Sequence, residues 1–192
     1  MFEAADKLHP QDKLLKPLVS LIPKGILPNH LTVFRMLGTP LVWYFLTIDE
    51  YFWGLIWFLI LAFTDALDGA MARLRSQITV WGKFYDPVAD KLLVVSTVIM
   101  IMVKRINIFI SIAIIFLELV TIMGGIIRKK RNIVVPANKW GKIKMLLQTV
   151  GVGLVLLGLY LDVPILFLYS TPAFGLAIIF AILSLLAEGF KS

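Results

Sequence analysis

LIWFLILAFTDALDGAMARLRSQITVWGKFYDPVAD, residues Leu55 to Asp90, runs an apolar stretch straight into four carboxylates, with a second apolar stretch beginning where it ends. Ten residues without a charge, Leu55 to Thr64, lead into Asp65 and Asp68. Such a run reads as the end of a membrane-spanning helix, because a bilayer core takes about 20 apolar residues per crossing. A carboxylate at that boundary costs several kcal/mol unless it is paired or bound to a cation. Four of them, Asp65, Asp68, Asp86 and Asp90, therefore point to a metal site.

The rest of the chain agrees with a membrane reading. Its 192 residues are 59% hydrophobic and carry 19 Lys and Arg against 12 Asp and Glu, a net charge of +7. In a membrane protein that excess reflects topology and anionic headgroups, and no DNA- or RNA-binding motif accompanies it, so no nucleic-acid partner is expected. There is no cysteine and only two histidines, His9 and His30, which excludes thiolate and histidine-built metal centres. No small-residue cleavage pattern precedes the first apolar stretch, so no cleavable signal peptide is expected.

The expected fold class is an all-α integral membrane protein, one domain over residues 1–192, with six transmembrane helices preceded by an amphipathic interfacial helix. Leu14, Leu15, Leu18 and Leu21 recur at helical spacing among Lys13, Lys16 and Lys24, until Pro23, Gly25 and Pro28 break the pattern. This interfacial segment occupies 1–28; an ordinary soluble turn of helix is the alternative. The spans fall at 31–48, 52–72, 84–103, 106–127, 141–161 and 165–187. With the N-terminus inside, every basic residue except Lys104 and Arg105 lies on the cytoplasmic side. Both termini and the carboxylates are then cytoplasmic.

Asp65 and Asp68 are three apart and share a helix face, about 4.5 Å apart along the axis; Asp86 and Asp90, four apart, share another. Two antiparallel helices joined by a short loop can aim both pairs at one point. Oxygen-only ligation selects magnesium or manganese, and two such ions would suit in-line phosphoryl displacement. Gly69 and Ala72 leave a helix surface of little bulk on which a flat nucleotide could lie, and Gly82 permits close approach at the next helix. Helix packing is the other explanation for these small residues. Arg73 is placed to pair with phosphate or with the carboxylates. Pro87, directly after Asp86, fits a helix starting there.

This run resembles the CDP-alcohol phosphotransferase (CDP-alcohol phosphatidyltransferase) signature. In it D-x-x-D-G-x-x-A-R is followed after eight residues by G-x-x-x-D-x-x-x-D, here Asp65, Asp68, Gly69, Ala72, Arg73, Gly82, Asp86 and Asp90. The resemblance implies a six-span enzyme that moves a phosphatidyl group from CDP-diacylglycerol to an alcohol and releases CMP. It further implies that Asp65, Asp68 and Asp86 bind metal, with Asp90 at the metal site as ligand or general base, and that Gly69, Ala72 and Gly82 face the CDP moiety. Family members commonly form homodimers. A base is chemically required, since an alcohol's pKa lies far above neutrality.

The acceptor is to be read from a second basic cluster, Arg128 to Lys144. Its plain explanation is topology. Lys139, Lys142 and Lys144 surround the start of the fifth span, where an anion could be held, although on an ideal helix Lys144 points away from the other two. A phosphorylated alcohol is thus favoured. The KWGKIK segment resembles the G-K-x-K stretch of the family's phosphatidylglycerophosphate synthases, as LPNHLTVFR resembles their P-N-x-L-T-x-x-R segment; this implies glycerol 3-phosphate as acceptor and places Thr32 and Arg35 near the nucleotide. Capping and headgroup pairing are the other explanation for those two. The chain departs from those synthases in the fourth span, where an Arg-Glu pair and a later arginine are usual and Leu117, Glu118 and Gly125 stand instead. Glu118, ionisable within a span, is a functional candidate, with Arg128 or Lys129 on its face to supply charge. Phosphatidylinositol phosphate synthase and cardiolipin synthase chemistry remain alternatives for the acceptor. In a different class, a cation-coupled transporter would line a path with charge at mid-membrane, whereas these acids sit at one face.

Overall fold

A computed structural model describes residues 2–3, 10–23, 25–102, 108–130 and 139–189. Seven α-helices are present among them: α1 Pro10–Leu21, α2 Pro28–Thr47, α3 Tyr51–Leu74, α4 Val80–Met102, α5 Ile108–Lys130, α6 Lys139–Leu161 and α7 Ile165–Gly189. A short antiparallel pair, β1 Phe2–Glu3 with β2 Ile78–Thr79, departs from the purely helical expectation. It ties the chain's first residues to the loop between α3 and α4.

Helices α3, α6 and α7 are long and apolar enough to cross a membrane, and the chain is an integral membrane protein. All six helices from α2 onward have 20 to 25 residues, a length that matches a bilayer core. The chain divides into two compact units, Met1–Phe45 with Trp53–Leu93 and Leu46–Phe52 with Val94–Ser192.

In the first unit, α1 buries Asp12 and Val19, half-buries Leu15 and exposes Leu14, Leu18 and Leu21. Val19 packs with Ala70 and Met71 of α3. α3 ends in a Schellman turn. The Gln77 N–H bonds the Ala72 carbonyl at 2.9 Å and the Ser76 N–H bonds that of Arg73 at 3.3 Å, with Ser76 in the left-handed region at φ 53° where glycine is usual. Arg75 donates to the carbonyls of Val19 at 2.7 Å, Ile22 at 2.5 Å and Ile26 at 3.2 Å, so a side chain of α3's end satisfies the open carboxyl end of α1.

One expectation is corrected here. α4 starts at Val80, not at Asp86, because Thr79 caps it: its Oγ1 accepts the Gly82 N–H at 2.9 Å. Pro87 therefore lies inside the helix. Asp86 and Asp90 still fall one turn apart on a continuous α4.

In the second unit, α6 and α7 form a hairpin packed through glycines. A Cβ at Gly151 would come within 2.8 Å of the Phe174 ring, and one at Gly158 within 3.1 Å of Phe167. Small residues are what let helices approach this closely without a hydrophobic drive between them.

Candidate active site

Three helices of the first unit supply the polar residues around the signature. On α2, Thr32, Arg35 and Thr39 recur at helical spacing and all three are completely buried. A guanidinium so buried must be paired, since removing one partner from such a pair costs about 3–5 kcal/mol. Arg35 Nη1 donates to Asp65 Oδ1 at 2.7 Å and Nη2 to Asp68 Oδ2 at 2.5 Å, while Nε reaches Thr64 Oγ1 at 3.4 Å. The (i, i+3) spacing of the two aspartates on α3 matches the fork of one arginine.

α4 brings the third carboxylate. The Thr32 hydroxyl donates to Asp86 Oδ1 at 2.6 Å, and Asp86 lies within electrostatic reach of Arg35 and Asp65. Asp90, one turn further along α4, is buried. Gly82 is bare for a geometric reason. A Cβ there would stand 3.0 Å from Asn29 Oδ1, 3.1 Å from Thr79 Oγ1 and 3.3 Å from Asp86 Oδ2, so the close approach it permits is that of the protein's own polar groups. Asn29 in turn accepts from the Thr79 hydroxyl at 2.9 Å, tying the start of α2 to the cap of α4.

Arg73 does not join these carboxylates. Its Nε and Nη2 donate to both oxygens of Asp12 on α1, at 2.8 and 2.7 Å. Its guanidinium also lies over Gly69, 3.4 Å from where a Cβ would be, so that glycine's open surface is partly occupied by the arginine four residues on. Ala72 is half-buried on the same helix.

Among the described residues, no three carboxylates or imidazoles stand close enough together to hold a metal ion as they are. The chemistry of the donor set nevertheless fits one. The bonds to Arg35 and Thr32 engage Oδ1 of Asp65, Oδ2 of Asp68 and Oδ1 of Asp86 and leave the second oxygen of each. Carboxylate oxygens of this kind, once ionised, are the donors that a hard divalent cation takes.

The second unit holds a separate polar cluster. Lys144 Nζ on α6 donates to Glu118 Oε1 on α5 at 2.5 Å, Gln148 Nε2 donates to the same oxygen at 3.1 Å, and the Thr121 hydroxyl reaches Glu118 Oε2 at 3.4 Å. Both charged partners are buried. Lys139 and Lys142 are exposed, on a different face of α6 from Lys144. Lys144 of α6 supplies one charge facing Glu118; the side chains of Arg128 and Lys129 lie outside the described ones.

Sequence reasoning missed Arg35 as the centre of the carboxylate cluster, Asp12 as the partner of Arg73, and Gln148. Arg35 counts among the topological charges and, by resemblance, lies near the nucleotide; its offset of three from Thr32 and its place in an otherwise apolar α2 are the signal for its burial. Asp12 carried none, since the contact spans 61 residues.

A helical membrane protein that carries the two halves of an eight-position signature on consecutive helices, closed round one buried arginine, is the class that fold and site define. The chain belongs to the CDP-alcohol phosphatidyltransferase family, which it matches over residues 25–187. Among curated relatives, it is 33% identical over 118 residues to the CDP-diacylglycerol--glycerol-3-phosphate 3-phosphatidyltransferase of Aquifex aeolicus, covering 60% of this chain and 66% of that one. It is 30% identical over 149 residues to the protein of the same name from Rickettsia felis, covering 71% and 81%. With the Haemophilus influenzae protein of that name it shares 33% identity over 137 residues, 66% of this chain and 73% of that one.

Proposed function

We propose that this chain transfers the phosphatidyl group of CDP-diacylglycerol to glycerol 3-phosphate, releasing CMP and forming phosphatidylglycerophosphate. The observation that carries the reading is the gathering of Asp65, Asp68 and Asp86 around Arg35 and Thr32 in a chain whose relatives bear that activity in their names. In this reading the whole chain acts as one domain with six crossing helices and an interfacial α1. It works as a homodimer in a prokaryotic cell membrane, with its termini and site on the cytoplasmic side.

Asp65, Asp68, Asp86 and Asp90 would hold divalent magnesium or manganese, two ions in the full complex, whose charge would neutralise the donor's diphosphate. The chain's own residues do the rest. Before an ion binds, Thr32 and Arg35 hold the carboxylates in place. Arg73, Gly69, Ala72 and Gly82 shape the wall against which the CDP moiety lies. Asp90 takes the proton of the acceptor hydroxyl as its oxygen bonds the lipid-side phosphorus; the anhydride bond breaks, and its electron pair leaves on CMP. Glu118, Lys144, Lys139, Lys142 and Arg128 make up the acceptor region, where Lys144 is held in place by Glu118 and the exposed lysines draw in an anion.

The test is purified protein supplied with CDP-diacylglycerol, magnesium and, in parallel, glycerol 3-phosphate, inositol phosphate and phosphatidylglycerol. CMP release that depends on glycerol 3-phosphate is expected. No release with any acceptor would sink the enzyme reading, and release with another acceptor alone would reassign the substrate.

A further inference from the structure

Arg35 sits where a cation is wanted. Its guanidinium is fully buried, and its three nitrogens are spent on Asp65, Asp68 and Thr64. Asp65 and Asp68 are also the carboxylates that the metal reading needs first. Two positive groups cannot share one such pair on equal terms, because each raises the cost of the other in a region shielded from water. Asp86 is placed differently, since its hydrogen bond comes from an uncharged hydroxyl and Arg35 reaches it only through space.

We propose that Arg35 is a resident counter-cation that a divalent ion must displace from Asp65 and Asp68. In the absence of the ion, the guanidinium offsets the charge of the pair and lets Asp68 be buried, with Asp65 half-buried beside it. When the ion takes the pair, the guanidinium loses both its carboxylate partners, keeps only the Thr64 hydroxyl, and becomes available to an anionic group. On the phosphatidyl-transfer reading that group is the donor's diphosphate, so metal binding precedes and favours donor binding. The exchange itself does not depend on the reaction.

The experiment is direct metal binding to the full chain in lipid nanodiscs, without donor, followed by the loss of the free Mn²⁺ resonance. Arg35→Gln is expected to bind Mn²⁺ at least tenfold more tightly than the unaltered protein, and to melt at a lower temperature in chelator. Arg35→Lys keeps the charge and loses only the planar fork of the guanidinium, so its affinity should rise by less. Unchanged or weaker binding by Arg35→Gln overturns the proposal. Should the variants fail to fold, the unaltered protein labelled with ¹⁵N-arginine decides. The buried guanidinium resonance is expected to move on saturation with Mg²⁺; a stationary resonance, or no Mg²⁺ binding at millimolar concentration, overturns it. Metal exchange without CMP release would leave this proposal standing and remove the enzymatic one.

Discussion

Arg73 grips both carboxylate oxygens of Asp12, at 2.8 and 2.7 Å, and so fastens the first helix to the last turn of α3, the helix that carries the first half of the signature. The contact is bidentate and charge-assisted, the geometry in which arginine and carboxylate bind each other best. The Asp12 side chain is 1% exposed and that of Arg73 18%. α1 is thus anchored from its buried side, while Leu14, Leu18 and Leu21 face outward.

Asp12→Asn should loosen this anchor, at a cost on the order of 1–3 kcal/mol for hydrogen bonds to a charged group. Amide hydrogen exchange over residues 10–21 is the readout, and faster exchange confined to α1 is expected. The charge-swapped pair Asp12→Arg with Arg73→Asp should recover part of the protection. Exchange in Asp12→Asn indistinguishable from the unaltered protein would show that α1 is held by its apolar face alone.

Asp90→Asn removes the proposed base and keeps the size of the side chain. Turnover should fall by roughly 10²- to 10⁴-fold, the usual contribution of general acid–base catalysis, with CDP-lipid binding retained. Loss of binding together with turnover would make Asp90 an essential ligand instead.

The Glu118 and Lys144 pair is buried, so breaking it from one side strands a charge. Lys144→Met alone should destabilise the second unit by about 3–5 kcal/mol, whereas Glu118→Leu with Lys144→Met together should restore most of the melting temperature. If the pair serves the acceptor, the double variant will fold and yet show a raised KM for glycerol 3-phosphate with the KM for CDP-diacylglycerol unaltered. Parallel changes in both constants would assign the pair to packing only.

Gly151→Ala drives a methyl into the Phe174 ring, with the nearest ring carbon 2.8 Å away, whereas a Cβ at Gly153 meets nothing within 4 Å. The first substitution should cost about 1–3 kcal/mol through overpacking, and the second should be close to neutral. Thermal unfolding in detergent compares the two, and equal melting temperatures would contradict the close α6 and α7 packing.

Much of this was readable in the chain because the constraints are local. Helical spacing pairs Asp65 with Asp68 and Asp86 with Asp90 without reference to anything distant, and apolar length alone marks α3, α6 and α7. What escaped was non-local. Nothing in residues 10–21 says that Asp12 will meet an arginine 61 positions later. Arg35 was hidden for a different reason. Topology accounts for its charge and the resemblance puts it near the nucleotide, but neither says that the fold buries it completely between two carboxylates. The start of α4 was misplaced because Pro87 is a strong break signal, and the capping hydroxyl of Thr79 outweighs it.

The arginine that closes α1 also sets an order of assembly. Its bonds reach back 49 to 56 residues, to carbonyls that emerge from the ribosome long before Arg75 does. During synthesis the first helix must therefore wait with its carboxyl end open until α2 and α3 have both been delivered to the membrane. Only then, at the moment the signature's first half is complete, can the N-terminal helix lock into place.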